Sequence, residues 1–264
     1  MLKVENISKT FNRGTVNQKT ALDCLSLHLE PGEFCTVIGG NGAGKSTLMN
    51  AVAGVWPIDS GRIIIDNNDV TTLPEHKRAK FIGRVFQDPM TGTAATMQIE
   101  ENLALAKRRG KPRTLRIGIT KAEREEYHEL LKTLDLGLED RMTTKVGLLS
   151  GGQRQALTLL MASLQSPKLL LLDEHTAALD PKTAAKVLET TERIVQKDNL
   201  TTLMITHNMR DAIAHGNRLI MMDAGKIVVD VRGEEKKKLT IPDLMEMFSK
   251  ASATAAESDK LLLS

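Results

Sequence analysis

Gly39-Gly40-Asn41-Gly42-Ala43-Gly44-Lys45-Ser46-Thr47 is the stretch on which the reading of this chain turns. Its first eight residues fit G-x-x-x-x-G-K-[ST]. An apolar run with strand character, Glu33 to Ile38, enters the motif, and Leu48, Met49, Ala51, Val52 and Val55 follow it with helical character. Strand, glycine loop and helix in that order predict a phosphate-binding loop. The glycines let the backbone curl until consecutive N–H groups face one anion, and the helix adds the positive end of its dipole at the same point. Lys45 is then placed to reach the β and γ phosphates of a nucleotide, and Ser46 to ligate Mg²⁺. A glycine-rich turn without function is the competing reading, and the flanking elements weigh against it.

Working outward, Leu25, Leu27 and Leu29 alternate with Ser26, His28 and Glu30, which predicts a half-buried strand over Ala21 to Glu30, closed by a turn at Pro31-Gly32. Arg62 to Ile65 and Phe81 to Phe86 predict short strands, with a short polar helix over Thr72 to Lys80 between them. From about Ile99 to Leu138 no strand-like run occurs, and charged residues recur with Leu and Ala at helical spacing, as in KAEREEYHELLKTLDL; this predicts a mostly helical insertion. A helix over Gly152 to Gln165, a strand over Lys168 to Asp173, a helix over Pro181 to Lys197 and a strand over Thr201 to Thr206 come next. Such alternation predicts an α/β fold with a mostly parallel sheet covered on both faces, its ligand at the carboxyl ends of the strands. Arg218 to Asp223 and Lys226 to Val231 form a closing hairpin. The charged segment Glu234 to Lys238 reads as solvated, and the last dozen residues as disordered.

Composition narrows the class. The 264 residues are 41% hydrophobic and 26% charged, the profile of a folded soluble protein with room for one large domain or two small ones. A net charge of +3 lacks the basic surface of a dedicated DNA binder, and one Trp, one Tyr and five Phe leave little for stacking on bases, so nucleic acid is not expected as a partner. Cys24 and Cys35 lie in apolar, strand-like stretches and read as buried thiols of a reducing, cytoplasmic compartment. No apolar run approaches the roughly 20 residues of a spanning helix. The opening MLKVENISKT lacks the apolar core of a signal peptide, so an exported protein is not expected.

A second acidic motif completes the chemistry. Leu169-Leu170-Leu171-Leu172-Asp173-Glu174 is an apolar strand ending in two carboxylates, where a phosphate-loop fold needs an Asp for Mg²⁺. Asp173 suits that role, and Glu174 suits a general base that polarises the attacking water. Between the two motifs, Leu149-Ser150-Gly151-Gly152-Gln153 resembles the signature sequence of ATP-binding cassette (ABC) proteins. Order and spacing match that family over nearly the whole chain, through Gln87 after Phe86, Ala178-Leu179-Asp180 after Glu174, and His207 after the strand Thr201 to Thr206. Ser150 to Gly152 ahead of a helix also make a second anion site, because free helix N–H groups and the dipole converge there.

The resemblance implies an ABC ATPase fold: a P-loop NTPase core, an N-terminal antiparallel β subdomain and a helical insertion. It implies one ATP-binding domain over 1–235, a helical subdomain at about 95–165, and a short C-terminal extension over 236–264. ATP would be held by Phe11, by Gly39, Gly40, Asn41, Gly42, Ala43, Gly44, Lys45, Ser46 and Thr47, and, from a second copy in a head-to-tail dimer, by Ser150, Gly151, Gly152 and Gln153, with Asp180 coupling the two sites. Mg²⁺ would be held by Ser46, Gln87 and Asp173; Glu174, His207, Gln87 and Lys45 would be catalytic. Asp180 equally suits a helix N-cap before Pro181, and Phe11 is either an adenine platform or a core residue.

Two positions depart from the family pattern. His175 stands where Pro usually follows the catalytic Glu, and Ala178 where Ser often precedes Leu-Asp. Neither change removes a ligand, and His175 is read either as a tolerated loop substitution or as a group tuning turnover near neutral pH. Lys107, Arg108, Arg109, Lys111, Arg113 and Arg116 form a basic run, read as a solvated loop or a contact for anionic headgroups. The function expected by resemblance is that of an ATPase subunit, peripheral on the cytoplasmic face of the cell membrane. It would pair with integral membrane permease subunits and a solute-binding protein and energise import of a small solute such as an amino acid. A soluble cassette for complex remodelling or iron–sulfur assembly is the alternative, and an ATP-switched interaction module a further one that Glu174 argues against.

Overall fold

The computed structural model describes residues 1–111 and 118–250. Strands β1 (Leu2–Phe11), β2 (Lys19–Leu29) and β3 (Phe34–Gly39) lead into helix α1 (Lys45–Ala53), followed by β4 (Ser60–Ile65), β5 (Asn68–Asp69), α2 (Glu75–Arg78) and β6 (Ile82–Val85). Helices α3 (Ile99–Lys107), α4 (Lys121–Lys132) and α5 (Gly151–Ser163) precede β7 (Leu169–Asp173), α6 (Pro181–Lys197), β8 (Thr202–Ile205) and α7 (Met209–Ala214). The hairpin β9 (Arg218–Asp223) and β10 (Lys226–Arg232) leads into α8 (Gly233–Lys238), and residues 241–250 are again helical. Two compact units result: residues 1–78 with the segment from Thr201 onward, and Ala79–Leu200.

In the first unit, an antiparallel sheet runs in the order β2-β1-β4-β5. A second group of strands has β3 at its centre, parallel to both β8 and β9, with β10 antiparallel to β9. Leu25, Leu27 and Leu29 are buried as their alternation predicts. Cys24 is exposed, contrary to expectation, and only Cys35 is buried. Cys24 is in phase with the exposed Ser26 and His28, so the alternation that buries Leu25, Leu27 and Leu29 puts it on the outward face, beside a register shift between β1 and β2. The strand β1 is not announced by clean alternation, because Asn6 at φ +47° breaks the period between Val4 and Ile7.

In the second unit, β6 and β7 pair in parallel, and α5 packs on β6, α3 and α6. The helices α3 and α4 fall in the predicted helical insertion. Each opens with a capping box, Gln98 with Glu101 and Thr120 with Glu123. Arg124 binds the buried Glu100 with both Nε (2.7 Å) and Nη2 (2.8 Å), tying α4 to α3. Over its first half the basic run has local partners. Lys107 pairs with Glu126, Arg108 with Glu123 (3.1 Å), and Arg109 donates to the Ala162 carbonyl (3.4 Å). Arg113 and Arg116 lie outside the described residues, as do the last 14 positions, among them the dozen expected to be disordered. Among the described residues, no helix is long and apolar enough to cross a membrane.

The segment Glu234 to Lys238 departs from the solvated reading at one position. Lys236 is only 2% exposed, and its ammonium donates to the carbonyls of His215 and Gly216.

Candidate functional site

The phosphate loop belongs to the first unit. β3 ends at Gly39 with φ +151°, where a Cβ would lie 2.2 Å from the Met222 carbonyl oxygen; at Gly44, φ +100°, a Cβ would lie 2.4 Å from that of Ala21. Side chains at either position would unseat the loop from the strands behind it. The Ala43 N–H donates to Gly40 (3.2 Å), and the Gly225 N–H in the β9–β10 turn donates to Ala43 (3.0 Å), so the curl is fixed from inside and outside. Lys45 is buried, its Nζ donating to the carbonyls of Gly39 (2.8 Å) and Gly40 (3.0 Å). An ammonium and a run of loop N–H groups at a helix start are the donor set that a polyphosphate requires.

The far end of α1 is braced by a residue that sequence reading did not single out. Arg78 is buried, and its Nη1 donates to the carbonyls of Ala51 (2.7 Å) and Val52 (2.8 Å), its Nε to Leu73 (2.8 Å) and its Nη2 to Thr71 (3.0 Å). A cation on the last carbonyls complements the negative end of the helix dipole. No periodicity marks such a residue; the sequence shows only one more charge in a short polar helix.

His207 is exposed just beyond β8, in the same unit. Val37 pairs with Ile205 in parallel register, so the phosphate loop and His207 leave their strands at the same, carboxyl end. The Thr206 N–H donates to the Val37 carbonyl (3.1 Å), and Asn208 caps α7 by accepting from the N–H groups of Arg210 (2.9 Å) and Asp211 (3.4 Å). Phe11, at the end of β1, meets Trp56 edge to face at 5.1 Å between ring centroids. One edge of the expected adenine platform is therefore fixed by an aromatic partner.

The second unit carries the carboxylates. Leu169 to Leu172 are fully buried, and Asp173 ends β7 with its Oδ2 3.6 Å from Arg84 Nη2. Burial pushes the Asp173 carboxyl above its ordinary range, with the Arg84 guanidinium pulling in the opposite direction. Arg84 also lies over the Phe86 ring, 4.6 Å from its centroid. Val85 pairs with Leu172, so Gln87 and Glu174 follow strands that end together. Glu174 has φ +46°, a turn that redirects the chain one residue after Asp173. Gln155 donates to the Phe86 carbonyl (3.3 Å), which ties the approach to Gln87 to α5. His175 is buried, its Nε2 3.1 Å from Thr191 Oγ1 on α6.

Ser150 is the N-cap of α5, with its Oγ accepting from the Gln153 N–H (3.3 Å) and its own N–H donating to Gln153 Oε1 (3.2 Å). Gln153 also donates to the Leu136 carbonyl (3.4 Å), so its amide builds the helix entry. Asp180 caps α6 by accepting from the Thr183 N–H (3.1 Å), and hydrogen bonds from Thr183 hold its carboxyl below the usual range. The N-cap reading of Asp180 is thus realised. The two capped helices pack closely, because a Cβ on Gly152 would lie 2.0 Å from the Thr183 methyl group.

A glycine loop on a parallel strand, a buried lysine and a strand-end aspartate define a P-loop nucleotide hydrolase. The chain belongs to the ABC transporter family, whose model matches residues 22–177. It is 46% identical to the tyrosine transport ATP-binding protein of Clostridioides difficile, over 95% of this chain and 100% of that one. It is 37% identical to the methionine import ATP-binding protein MetN of Corynebacterium diphtheriae, over 86% of this chain and 64% of that longer protein. The dimeric structure of an ATP-binding cassette in a post-hydrolysis state, bound to ADP and Pi, aligns with a TM-score of 0.74 at 29% identity, covering 88% of this chain and 98% of that one. The ADP conformation of a second ABC transporter cassette aligns at 0.77, again at 29% identity, over 94% and 98%. The expected ABC ATPase fold is borne out.

Proposed function

We propose that this chain is the ATP-hydrolysing subunit of a membrane importer for a small solute, an amino acid in the first instance. The observation that carries the reading is the buried Lys45 ammonium inside a loop that tolerates no side chain at Gly39 or Gly44. The names of the relatives, tyrosine transport and methionine import, support the solute class and set aside the soluble remodelling alternative. In this reading 1–235 is the ATP-binding domain, with a helical subdomain at about 95–165 that faces the membrane partner, and 236–264 is an extension.

Gly39 to Thr47 wrap the phosphates, Lys45 neutralises the β and γ phosphates, and Phe11 supports the adenine. Ser46, Asp173 and Gln87 would hold Mg²⁺, which would supply charge neutralisation at the transferring phosphoryl group. Glu174 takes the proton of the attacking water, and His207 donates to the γ-phosphate as charge develops there. Ser150 to Gln153 of a second copy close over the same nucleotide head to tail, with Asp180 at the junction. A permease docked near Gln87 feels the closure and a solute-binding protein delivers cargo, which places the chain on the cytoplasmic face of the membrane.

Glu174→Gln tests the assignment of the base. It should bind ATP, form a stable ATP-dependent dimer by light scattering and hydrolyse very slowly. Rapid hydrolysis by this variant would overturn the role given to Glu174.

A further inference from the structure

We infer that the C-terminal extension sets the position of His207 through helix α7, with Lys236 as the positioning residue. The inference rests on the proposed action of His207 at the γ-phosphate. α7 has six residues, too few to hold a helix in water by their own hydrogen bonds, so its place is set by what packs on it. Its amino end is Asn208, the residue after His207; its carboxyl end is His215 and Gly216, whose carbonyls take the Lys236 ammonium.

A lysine at 2% exposure is uncommon, and burial of its charge is offset here by two carbonyl acceptors at the negative end of a helix dipole. The extension also grips α7 along its side. Leu239 and Leu244 are buried in one cluster with Ala212 of α7, Leu219 and Met221 of β9, and Ile38 at the end of β3, and Met209, Met247 and Phe248 pack against it. The other side of His207 is anchored independently, by Thr206 on Val37. One side chain is thus placed between a strand end and a short helix whose seat is built by Lys236, Leu239, Leu244, Met247 and Phe248. Loosening that seat moves His207. The phosphate loop meets that cluster only through Ile38, the residue before it, and is itself held by the contacts of Gly39, Ala43 and Gly44 with Met222, Gly225 and Ala21.

The test uses the full chain with Lys236→Met and, should that variant fold poorly, Leu244→Ala, each in the native and the His207→Ala background. Turnover, equilibrium ATP affinity, melting temperature and hydrogen exchange over residues 207–214 are measured. Each clamp variant should lower kcat by roughly ten- to a hundred-fold, the scale of a catalytic group misplaced by about an ångström, with ATP affinity unchanged. It should also accelerate exchange over 207–214 and cause no further loss when His207 is already alanine. Lys236→Arg should recover part of the loss. Equal losses in both backgrounds, or unchanged exchange over 207–214, would overturn the inference. If His207→Ala alone turns over normally, the role of His207 has failed, and the exchange data still decide whether Lys236 seats α7.

Discussion

Gly152→Ala perturbs the contact between α5 and α6 at one atom. A Cβ built on Gly152 lies 2.0 Å from Thr183 Cγ2 but 3.5 Å from its Cβ and 3.9 Å from its Oγ1, so a single methyl group makes the clash. Carbons in contact sit about 3.5–4.0 Å apart, so the overlap is roughly 1.5–2 Å. One relief is separation of the helices, at the usual overpacking cost of about 1–3 kcal/mol. The other is to turn the Thr183 side chain away from its preferred rotamer, at about 0.5–1.5 kcal/mol. Alanine's gain in helix propensity, up to about 1 kcal/mol in a helix interior, is smaller at the second helical position, where the N–H lies outside the ladder. The net loss should be about 1–2 kcal/mol, or roughly 2–8 °C in melting temperature at this chain length. ATPase turnover should fall with it, because Ser150 rides on the displaced helix. Thr183→Ser removes only the offending methyl, so the double variant should recover most of the loss in a thermal-melt cycle. A native melting temperature for Gly152→Ala, or losses that simply add in the double variant, would refute this reasoning.

Lys45→Ala should abolish ATP binding or turnover, read by equilibrium binding of a fluorescent nucleotide; native affinity with native rate would contradict the loop assignment. Arg78→Met removes the guanidinium donor from the carbonyls of Ala51, Val52, Leu73 and Thr71, the first two of them in buried bonds, and should lower stability by about 1–3 kcal/mol in urea titration, with an unchanged midpoint as the contrary result. Burial raises the Cys35 thiol from 9.0 to about 12, so the native protein should show one fast-reacting thiol, Cys24, and the unfolded protein two. The sign of the linked pH effect follows: the unfolded chain ionises Cys35 first, so stability present below about pH 9 is lost as pH rises toward 12. A Cys35→Ala variant should show less of that alkaline decline.

The elements with a strong period or a terminal signal were legible. Pro181 to Lys197 is the helix its N-cap Asp180, N1 Pro and buried face announce, and the strand before Asp173 is the apolar run it looks like. The candidate site was equally legible where backbone chemistry imposes residue type, as at Gly39 and Gly44. What escaped was long-range. Arg78, Arg84 and Lys236 are ordinary charges in sequence, and only the tertiary fold brings them to Ala51, Asp173 and His215. The same holds for Lys107 and Arg108: a local count of six cations suggests a free basic face, whereas Glu126 and Glu123, about one and a half dozen residues away, neutralise two of them. Cys24 departs from the buried reading because it is in phase with Ser26 and His28 on the outward face of β2, which the apolar character of the stretch as a whole conceals.

The central claim is that this ATPase works beneath a membrane partner, and a gentle detergent pull-down of the chain at its native level tests it most directly. Recovery of a polytopic membrane protein in fixed stoichiometry with the chain is the predicted result. Recovery of soluble proteins alone, from the native chain and from Glu174→Gln locked with ATP, would contradict the importer assignment.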